Sequence, residues 1–380
     1  MQKKVAIIGG GASGLLCAIF CAKSGLNVTV FEQNERCAKK ILVSGNGHCN
    51  ITNTAFSKAN YLSENPDFLT HALREFDFLA FEKFATSIGL LLEKKEDGRC
   101  YPLSHEAKSV AHLLEEYAKS LGVEFFLNAK ITNATELFLK FSHVVIASGS
   151  EAAPHLGGGR DSLNFALEFG HSIIPTYPSL VQLEIPSATL HKMAGAKVDA
   201  ELTLFINNAK ESTVSGDLLF TKYGLSGLCV LDISGRASKA LQNFETVGVS
   251  LNLLPNFTQQ TLANQIQNVA KNLPSFTIFE ILLGLLPQKI VTHLLEYLGI
   301  SKDTKGEAIH AKMAKKVANT LLQWRFDVSE THGFRHAEVS GGGVCTDEIN
   351  PKTMESNKQK NLYIIGEALD VVGERGGYNF

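Results

Sequence analysis

Residues 9–14 read Gly-Gly-Gly-Ala-Ser-Gly and fit the pattern G-x-G-x-x-G. Gly9 permits a tight turn, Gly11 lets the backbone approach a pyrophosphate, and Gly14 allows a helix to pack closely on a strand. The first backbone amides of that helix, at Ala12 and Ser13, can bind phosphate oxygens. The pattern therefore predicts a dinucleotide-binding turn, and a glycine-rich turn without a ligand is the alternative.

An acidic residue, Glu32, ends the next apolar run about 20 residues further on, with Gln33 beside it. A carboxylate at this place accepts hydrogen bonds from the hydroxyl groups of an adenosine ribose. It also disfavours a 2′-phosphate, so the sequence favours FAD or NAD over NADP. The turn and the acid together do not distinguish FAD from NAD.

A second segment that can bind a polar ligand is Ser44-Gly45-Asn46-Gly47-His48-Cys49-Asn50, which follows Lys39 and Lys40. Successive backbone N–H groups in residues 44–47 can form a nest, and the Asn46 and Asn50 side chains add hydrogen bonds. The segment is therefore predicted to bind the polar edge of a ring or a phosphate. An ordinary surface turn is the alternative.

A parallel sheet would position these segments. Apolar runs at residues 5–8, 27–31 and 143–147 are typical of strands buried on both faces, and residues 12–24 and 109–121 are typical of helices. A right-handed crossover makes the first two strands parallel neighbours. A further strand at residues 362–365 indicates that both chain ends complete one sheet.

The predicted fold class is α/β, a Rossmann-type domain completed by both chain ends with inserted β-rich and helical modules. Residues 1–182 and 330–380 are assigned to that domain. Residues 183–254 contain alternating runs and are predicted to form a β-rich insert on the substrate side. Residues 255–329, a helical pattern with Pro274 and Pro287, are predicted to form a small helical insert.

The composition excludes several classes of protein. The 36 Lys and Arg against 38 Asp and Glu give a net charge of −2, which argues against a surface coated in basic charge for nucleic acid. Hydrophobic residues make up 44%, which excludes a disordered chain, and no apolar run approaches the ~18 residues of a membrane span. The seven scattered cysteines favour reduced thiols. We expect a cytoplasmic protein without membrane contact, and the sequence does not predict its oligomeric state.

Four motifs then resemble those of a known family. They are residues 9–14 with Glu32; KKILVSGNGHCN at 39–50; LFTKYGLSG at 219–227; and, within 347–380, NPKTMES, Gly366-Glu367, Asp370 and GGYNF. The turn GRCYP at 98–102 is also similar to a family motif. The chain resembles the BaiN-like bacterial flavoproteins, often labelled aminoacetone-oxidase-family FAD-binding enzymes, of the glutathione-reductase-like two-dinucleotide-binding superfamily.

This resemblance implies FAD as the cofactor. Gly45, Asn46, Gly47, Cys49, Asn50 and residues 376–379 would face the flavin ring. Gly366, Glu367 and Asp370 would approach the ribityl and pyrophosphate groups. The full set of predicted cofactor-binding residues is Gly9, Gly11, Ala12, Ser13, Gly14, Glu32, Gln33, Lys40, Ser44, Gly45, Asn46, Gly47, Cys49, Asn50, Ile131, Ala147, Ser148, Gly149, Gly366, Glu367, Asp370, Gly376, Gly377, Tyr378 and Asn379.

Two features differ from the family. His48 replaces the usual Arg, which removes a permanent cation beside the flavin. In the family a helix follows the GGYNF segment with its N-terminus toward the flavin, whereas this sequence ends at Phe380. We therefore expect weaker FAD binding and lower activity from residues 1–380 than from a chain that carries the dipole of such a helix.

The predicted reaction is hydride transfer on a small organic substrate, with NAD(P)H as the expected electron donor. The resemblance implies either reduction of an activated C=C bond or oxidation of a small amine. His48, Tyr223 and Arg99 are the candidate catalytic residues. Two interpretations are open for His48: a base near the flavin, or only a polar contact. Two are also open for Tyr223: a ring that stacks on a flat substrate, or a residue that only closes a turn. Arg99 and Tyr101 form a second candidate wall.

Two further functions stay open. Some relatives reduce uridine in ribosomal RNA, and a phosphate-binding face is one interpretation of Lys192, Lys197, Lys210, Lys222, Arg236, Lys312, Lys315 and Lys316. A solvated surface is the other interpretation. The third function is a flavin-binding protein without turnover. No metal site is predicted, and the polar residues of 327–338, including His332 and His336, are interpreted as an exposed loop or as ligands.

Overall fold

A computed structural model describes residues 3–380 of the chain. It divides into two compact units. Unit 1 comprises the residues up to Tyr177 together with Glu338–Phe380, and unit 2 comprises Pro178–Ala337.

The strands, in chain order, are β1 Lys4–Ile8, β2 Asn27–Phe31, β3 Thr52–Asn53, β4 Tyr61–Leu62, β5 Leu92–Lys94, β6 Arg99–Pro102, β7 Glu124–Phe126, β8 His143–Ile146, β9 Ile173–Ser179, β10 Leu183–Glu184, β11 Lys197–Ile206, β12 Ala209–Phe220, β13 Gly224–Ser226, β14 Val247–Asn252, β15 Trp324–Val328, β16 Glu330–Thr331, β17 Val339–Val344, β18 Leu362–Ile364 and β19 Val372–Gly373.

The α-helices are α1 Ala12–Lys23, α2 Lys39–Val43, α3 Leu69–Glu75, α4 Phe78–Ser87, α5 Ala107–Ser120, α6 Asp161–Glu168, α7 Ala188–Lys192, α8 Leu228–Gln242, α9 Gln259–Asn272, α10 Ile278–Leu283, α11 Gln288–Leu298 and α12 Ala311–Leu322. Among residues 3–380, none of these helices has the length and apolar character that a bilayer span requires.

Unit 1 is built on a five-stranded parallel sheet with the order β18-β8-β1-β2-β7. Its central strand β1 is buried, with Val5, Ala6 and Ile7 at most 2% exposed. The crossover helix α1 packs through Leu15 and Ile19 into the same core as β1. β18 comes from the end of the chain, which confirms that both chain ends complete one sheet.

The smaller sheets of unit 1 bring distant segments together. β3, β6 and β5 form an antiparallel sheet in which Thr52 is opposite Cys100 and Asn53 is opposite Arg99. β19 pairs with β4, and β17 pairs with β9. These pairings hold the loop after α2 and the C-terminal residues beside the main sheet.

Unit 2 contains a seven-stranded sheet with the order β15-β14-β11-β12-β13-β10-β16, in which every pair is antiparallel. Leu202 of β11 and Leu294 of α11 belong to one continuous hydrophobic core. The predicted β-rich and helical inserts therefore share a core instead of forming two modules. A sheet must cover its apolar face with other elements, and α8, a helix inside the segment expected to be β-rich, contributes Val230 and Ile233 to that core.

Candidate functional site

The turn after β1 requires glycine for two steric reasons. Gly9 has a φ of 108°, and a Cβ there would overlap the carbonyl oxygen of Ala147, the residue that follows β8. A Cβ at Gly14 in α1 would overlap the carbonyl oxygen of Gly9. Gly9 therefore serves the tight turn beside β8, and Gly14 serves the close packing of α1 on that turn, as the sequence predicts.

Gly11 differs from these two glycines because nothing in the folded chain requires it. Its φ of −74° and ψ of −173° suit any residue, and a Cβ there would meet no atom of the described residues within 4 Å. Within those residues no side chain caps α1, and its first turn carries no acidic residue. The space beside Gly11 and the first amides of α1 is therefore open to an anion such as a pyrophosphate.

Glu32 is 7% exposed and fixed at the end of β2. Its Oε2 accepts a hydrogen bond from the Gly10 amide at 2.8 Å, and its Oε1 accepts from the amide and the side-chain nitrogen of Asn34 at 2.8 and 2.7 Å. A carboxylate can accept about four hydrogen bonds, so one place remains for a ribose hydroxyl. The neighbouring Gln33 donates to the Gly157 carbonyl at 2.9 Å, so it fixes a loop beside this position.

The end of β8 supplies three further predicted residues. Ala147 contacts the glycine turn, and Ser148 is hydrogen-bonded through its hydroxyl to Ser162 at 2.7 Å. Gly149 has a φ of 77°, and a Cβ there would meet no described atom within 4 Å. Ile131 is partly buried and packs against a second core, which contains Ile8 and Ile146 and is distinct from the core of α1. The carboxyl ends of β1, β2 and β8 thus meet at one edge of the sheet, where such folds bind nucleotides.

The loop at 44–50 contains left-handed backbone at Gly45 and Asn46, with φ of 55° at both residues. The amides of His48 and Cys49 donate to the carbonyls of Gly45 and Ser44 at 3.1 and 2.9 Å. This compact turn is consistent with the predicted nest. The backbone of Asn46 thus has a conformation that few residues other than Asn and Gly adopt.

Cys49 differs from its neighbours in this loop because its side chain is buried. It belongs to the hydrophobic core of unit 1, so only its backbone is available to a ligand at the loop. Burial raises the pKa of Cys49 to about 11, although a hydrogen bond with Ser44 opposes the rise. Such a thiol stays protonated and unreactive at neutral pH.

His48 is oriented by a backbone carbonyl. Its Nδ1 lies 3.1 Å from the carbonyl oxygen of His105. A carbonyl only accepts hydrogen bonds, so Nδ1 carries a proton and Nε2 is the position that exchanges one. The His105 ring stacks on Tyr101 with a centroid distance of 5.8 Å and lies edge-on to His48 at 6.1 Å. His105 therefore connects His48 with Tyr101. Arg99 is held by Asp97 at 2.6 Å, and this partner raises the pKa of the guanidinium.

The segment at 366–370 is tied to the glycine turn and to α2. A Cβ at Gly366 would overlap the Ser13 hydroxyl, so this segment contacts the first turn of α1. Lys40 forms an ion pair with Glu367 at 2.7 Å, and Glu367 also accepts from the Ser340 amide at 2.9 Å. Asp370 is 2% exposed and accepts from the Glu64 amide at 2.7 Å. Asp370 therefore orders the chain around residue 64.

The segment at 376–379 lies along β3. The Asn53 side chain donates to the Gly376 carbonyl at 3.0 Å, and the Asn50 amide, oriented with its oxygen toward Gly377, accepts from that N–H at 3.2 Å. The Tyr378 hydroxyl donates to the Ala55 carbonyl at 3.0 Å. Asn379 forms two hydrogen bonds of 2.8 Å with the backbone of Gly373. Two of the four sequence motifs thus meet, and Asn53, which is not among the predicted cofactor-binding residues, joins them.

Unit 2 contains the third predicted catalytic residue, Tyr223, in the turn between β12 and β13. Its ring stacks on His332 at a centroid distance of 4.1 Å and an interplanar angle of 14°. His332 Nδ1 lies 2.9 Å from Glu184 Oε1. The sequence marks His332 as part of a polar cluster but does not indicate Glu184, because residues 184 and 332 become neighbours only through the pairing of β10 with β16.

The predicted phosphate-binding lysines are partly committed to contacts within unit 2. Lys192 pairs with Glu296 and Lys197 pairs with Asp217, both at 3.3 Å. Lys316 donates to the Leu298 carbonyl at 2.8 Å. Among residues 3–380, no group of three or more His, Cys, Asp or Glu side chains is arranged to hold a metal ion.

Comparison with known proteins identifies relatives over the whole chain. The family model described as HI0933-like protein Rossmann domain matches residues 3–380. A 3-dehydro-bile acid delta(4,6)-reductase from Clostridium scindens is 32% identical over 392 residues, covering 100% of this chain and 95% of the relative. A ribosomal RNA dihydrouridine synthase from Haemophilus influenzae is 33% identical over 393 residues, covering 98% of this chain and 94% of the relative. The family resemblance is therefore confirmed.

Among solved structures, a flavocytochrome c3 fumarate reductase in its open conformation matches 100% of this chain and 74% of its own, with a TM-score of 0.44 and 14% identity. A 3-ketosteroid-delta4-(5alpha)-dehydrogenase from Rhodococcus jostii RHA1 matches 99% of this chain and 92% of its own, with a TM-score of 0.44 and 12% identity.

Proposed function

This chain belongs to the family of HI0933-like proteins with a Rossmann domain, and we propose that, as an FAD-dependent oxidoreductase, it reduces a C=C bond conjugated to a carbonyl group. The observation that carries the cofactor assignment is the open space beside Gly11 at the uncapped start of α1. The names of the two relatives support the reaction, because one is a delta(4,6)-reductase and the other makes dihydrouridine. Both names describe the addition of hydrogen to a C=C bond, which favours reduction over amine oxidation.

The residues of unit 1 suit the parts of FAD in order along the sheet edge. The amides of Ala12 and Ser13 would hold the pyrophosphate, and Glu32 would accept the ribose hydroxyls. The turn at 44–50 and the segment at 376–379 would enclose the isoalloxazine. When bound, FAD supplies the two-electron chemistry, and the protein binds and orients both reactants.

We assign His48 to the cofactor loop as a group that can take or give one proton through Nε2. The contact of its Nδ1 with the His105 carbonyl fixes the orientation of the ring and leaves Nε2 free of that contact. Arg99 is assigned to substrate binding, where Asp97 limits its movement. The seven cysteines, all in the described part of the chain, are free thiols, and we propose a cytoplasmic location on that ground.

FAD binding is tested by adding FAD to the purified chain, removing free FAD by filtration and recording the flavin absorbance and the thermal midpoint. We expect bound flavin and a raised midpoint, since a ligand that binds only the folded state stabilises it. Colourless protein with an unchanged midpoint would contradict the cofactor assignment.

The reaction is tested under anaerobic conditions in two stages. Either NADH or NADPH is first added to the FAD-loaded chain, and bleaching of the flavin would support a nicotinamide nucleotide as the electron donor. The reduced chain is then mixed with a 3-oxo-Δ4 steroid, with aminoacetone or with a uridine-containing RNA. Reoxidation by the steroid supports the proposed function, and reoxidation by none of them contradicts turnover.

The second candidate function is reduction of uridine in RNA, which the dihydrouridine synthases from Haemophilus influenzae and Escherichia coli favour. The lysines engaged in ion pairs argue for a modest electrostatic contribution to RNA binding. Affinity for RNA that does not decrease as salt is raised would exclude phosphate contacts.

A further inference from the structure

Unit 2 contains a polar groove on the outward face of its sheet. The groove encloses about 390 Å³, which is within the size range of small-molecule sites. Strands β11, β14 and β15 supply its floor, and residues at the start of α9 and at the end of α12 supply its sides. All residues around it belong to unit 2, so the groove is complete within that unit.

The strand register arranges the floor of the groove in three rows. Taken in order along β11, the rows are Glu201 with Asn252; Thr203 with Ser250 and Arg325; and Phe205 with Lys210. Alternate residues of a strand share a face, so these rows point away from the core that contains Leu202 and Leu204. Glu201 and Phe205 are four residues apart, which separates the acidic row from the row of Lys210 by about 13 Å.

Ser250 is the buried polar residue of the groove. It is 9% exposed, and its side chain stands between Thr203 and Arg325 in the middle row. Among residues 3–380, its hydroxyl has no hydrogen-bond partner. Buried hydroxyl groups in proteins are nearly always hydrogen-bonded, so this one indicates a ligand that supplies the partner.

The charged groups of the groove also lack ion-pair partners within the described part of the chain. This holds for Arg325, Lys210 and Glu201. The Cζ of Arg325 lies 4.6 Å from the centroid of the Phe205 ring, and this contact positions the guanidinium without using its N–H groups. Two cations against one carboxylate favour a ligand whose anionic group binds at the basic rows.

Side-chain amides surround the rest of the groove. Asn252 lies in the row of Glu201, and its Oδ1 accepts from a backbone amide at 3.1 Å, which leaves its NH2 group for a ligand. Gln259 of α9 donates to Asn319 of α12 at 3.4 Å, and the half-buried Phe257 adds an apolar surface. Amides donate and accept hydrogen bonds, as the edge of a nucleobase does, and a carboxylate accepts from the hydroxyl groups of a sugar.

We propose that this groove binds a nucleoside monophosphate unit. Its phosphate would accept hydrogen bonds from Arg325, Lys210 and the Ser250 hydroxyl, and its sugar and base would lie toward Glu201 and the amides. Such a unit can come from a free nucleotide or from an RNA strand, and the experiment below distinguishes the two sources. Binding requires neither FAD nor the reduction of a C=C bond, so this proposal stands or fails independently of the proposed function.

The first test is a calorimetric titration of the full chain with uridine monophosphate, without FAD and again with FAD in excess. We expect the same affinity in both titrations, because every residue of the groove belongs to unit 2. Uridine and inorganic phosphate should each bind at least about tenfold more weakly than the nucleotide. Displacement of the nucleotide by FAD would overturn the proposal, as would equal affinity for inorganic phosphate and the nucleotide.

Variants of the groove provide the second test. Arg325→Gln should weaken binding at least about tenfold, since it removes a charged donor that can form two hydrogen bonds with a phosphate, and Arg325→Lys should restore only part of the affinity. Ser250→Ala should weaken binding several-fold and leave the thermal midpoint of the free chain unchanged, because its hydroxyl has no partner there. Arg335→Gln is the matched control, since Arg335 is an exposed arginine of the same unit outside the groove.

A uridine trinucleotide RNA identifies the source of the nucleotide unit. Tighter binding of this RNA than of uridine monophosphate, with the same loss in Arg325→Gln, would support the proposal and assign the groove to an RNA strand. Equal or weaker binding of the RNA, with the nucleotide still bound, would support it and assign the groove to a free nucleotide. Binding of neither probe, or equal affinities of wild type and Arg325→Gln for both, would overturn the proposal.

Discussion

At the scale of single residues, the three glycines of the turn have different physical roles. Gly9 and Gly14 are required by contacts within the chain, whereas Gly11 faces open space. Replacement of Gly11 and replacement of Gly14 therefore separate the needs of the ligand from those of the fold.

We expect Gly11→Ala to keep the thermal midpoint of the FAD-free chain and to weaken FAD binding by at least about tenfold, or ~1.4 kcal/mol. The added methyl occupies the space that a pyrophosphate needs, and the extended backbone of Gly11 accepts alanine without strain. Isothermal titration with FAD measures the affinity.

Gly14→Ala is the matched control because its methyl would overlap the carbonyl oxygen of Gly9. It should lower the thermal midpoint even without FAD, since overpacking costs about 1–3 kcal/mol. Equal FAD affinity of Gly11→Ala and wild type would show that the pyrophosphate does not bind beside Gly11.

The ion pair of Lys40 with Glu367 is a second contact of single residues that can be tested. Lys40→Ala leaves the partly exposed Glu367 with its hydrogen bond to the Ser340 amide, so the fold should lose no more than about 1 kcal/mol. The predicted loss is in FAD affinity, because the pair holds the segment at 366–370 near the first turn of α1. Lys58→Ala, which removes an exposed pair with Asp67 in the same unit, is the control.

At the scale of elements, the parallel strands of unit 1 could be predicted because their signals are local. The apolar run at residues 27–31 and the glycine turn give β1-α1-β2 nearly to the residue. In contrast, the helix α8 lies in a segment expected to be β-rich. It covers the sheet with Val230 and Ile233, and this packing against distant strands is not visible in the local sequence.

The candidate site also contains residues that local sequence predicts and residues that it does not. Glu32 and Gly14 could be predicted from spacing, since the chain connects them through one helix and one strand. Asn53 and His332 could not, because their partners, Gly376 and Glu184, are far away in sequence and come close only in the folded sheets. A loop pattern also does not reveal that the Cys49 side chain turns into the core.

The elements of unit 1 also depend on a buried polar contact between two loops. His171 Nδ1 lies 3.1 Å from Glu348, and His171 Nε2 lies 2.7 Å from the Ser356 hydroxyl. Burial lowers the pKa of His171 below its ordinary value of 6.5, although Glu348 opposes the shift. Burial alone would raise the pKa of Glu348, but Lys358 and Ser172 outweigh it and lower the pKa to about 2.

These shifts predict acid sensitivity of unit 1. Below pH 6.5 the unfolded chain protonates His171 while the folded chain does not, so stability decreases as the pH falls toward the lower folded pKa. The contribution of Glu348 is present above its ordinary pKa of 4.5 and decreases as the pH falls from there to about 2. Thermal unfolding between pH 8 and about 2 measures both phases.

His171→Asn should lower stability at pH 7.5 by about 1–3 kcal/mol and abolish the phase just below pH 6.5. His293→Gln, at an exposed pair, should leave this phase unchanged. An identical slope in His171→Asn and wild type would assign the acid sensitivity to other groups.

At the scale of the whole molecule, the chain is divided so that one unit is continuous and the other is not. Pro178–Ala337 is a single segment whose core lies within itself, from Leu183 to Val328. Unit 1 needs strands from both sides of that segment, because β18 pairs with β8. A segment with its own core and continuous backbone can fold as an autonomous unit.

We therefore predict that residues 178–337, produced alone, fold cooperatively. The only tryptophan of the chain, Trp324, is 1% exposed in this unit and reports its folding without further labelling. Its emission maximum in the fragment should equal that in the full chain and shift to the red in one transition with urea. In the full chain, flavin release reports the unfolding of unit 1 and Trp324 emission reports the unfolding of unit 2. FAD should raise the urea midpoint of unit 1 more than that of unit 2, because every predicted FAD contact lies in unit 1. A fragment with solvent-exposed Trp324 emission before any urea is added would show that the core of unit 2 requires the rest of the chain.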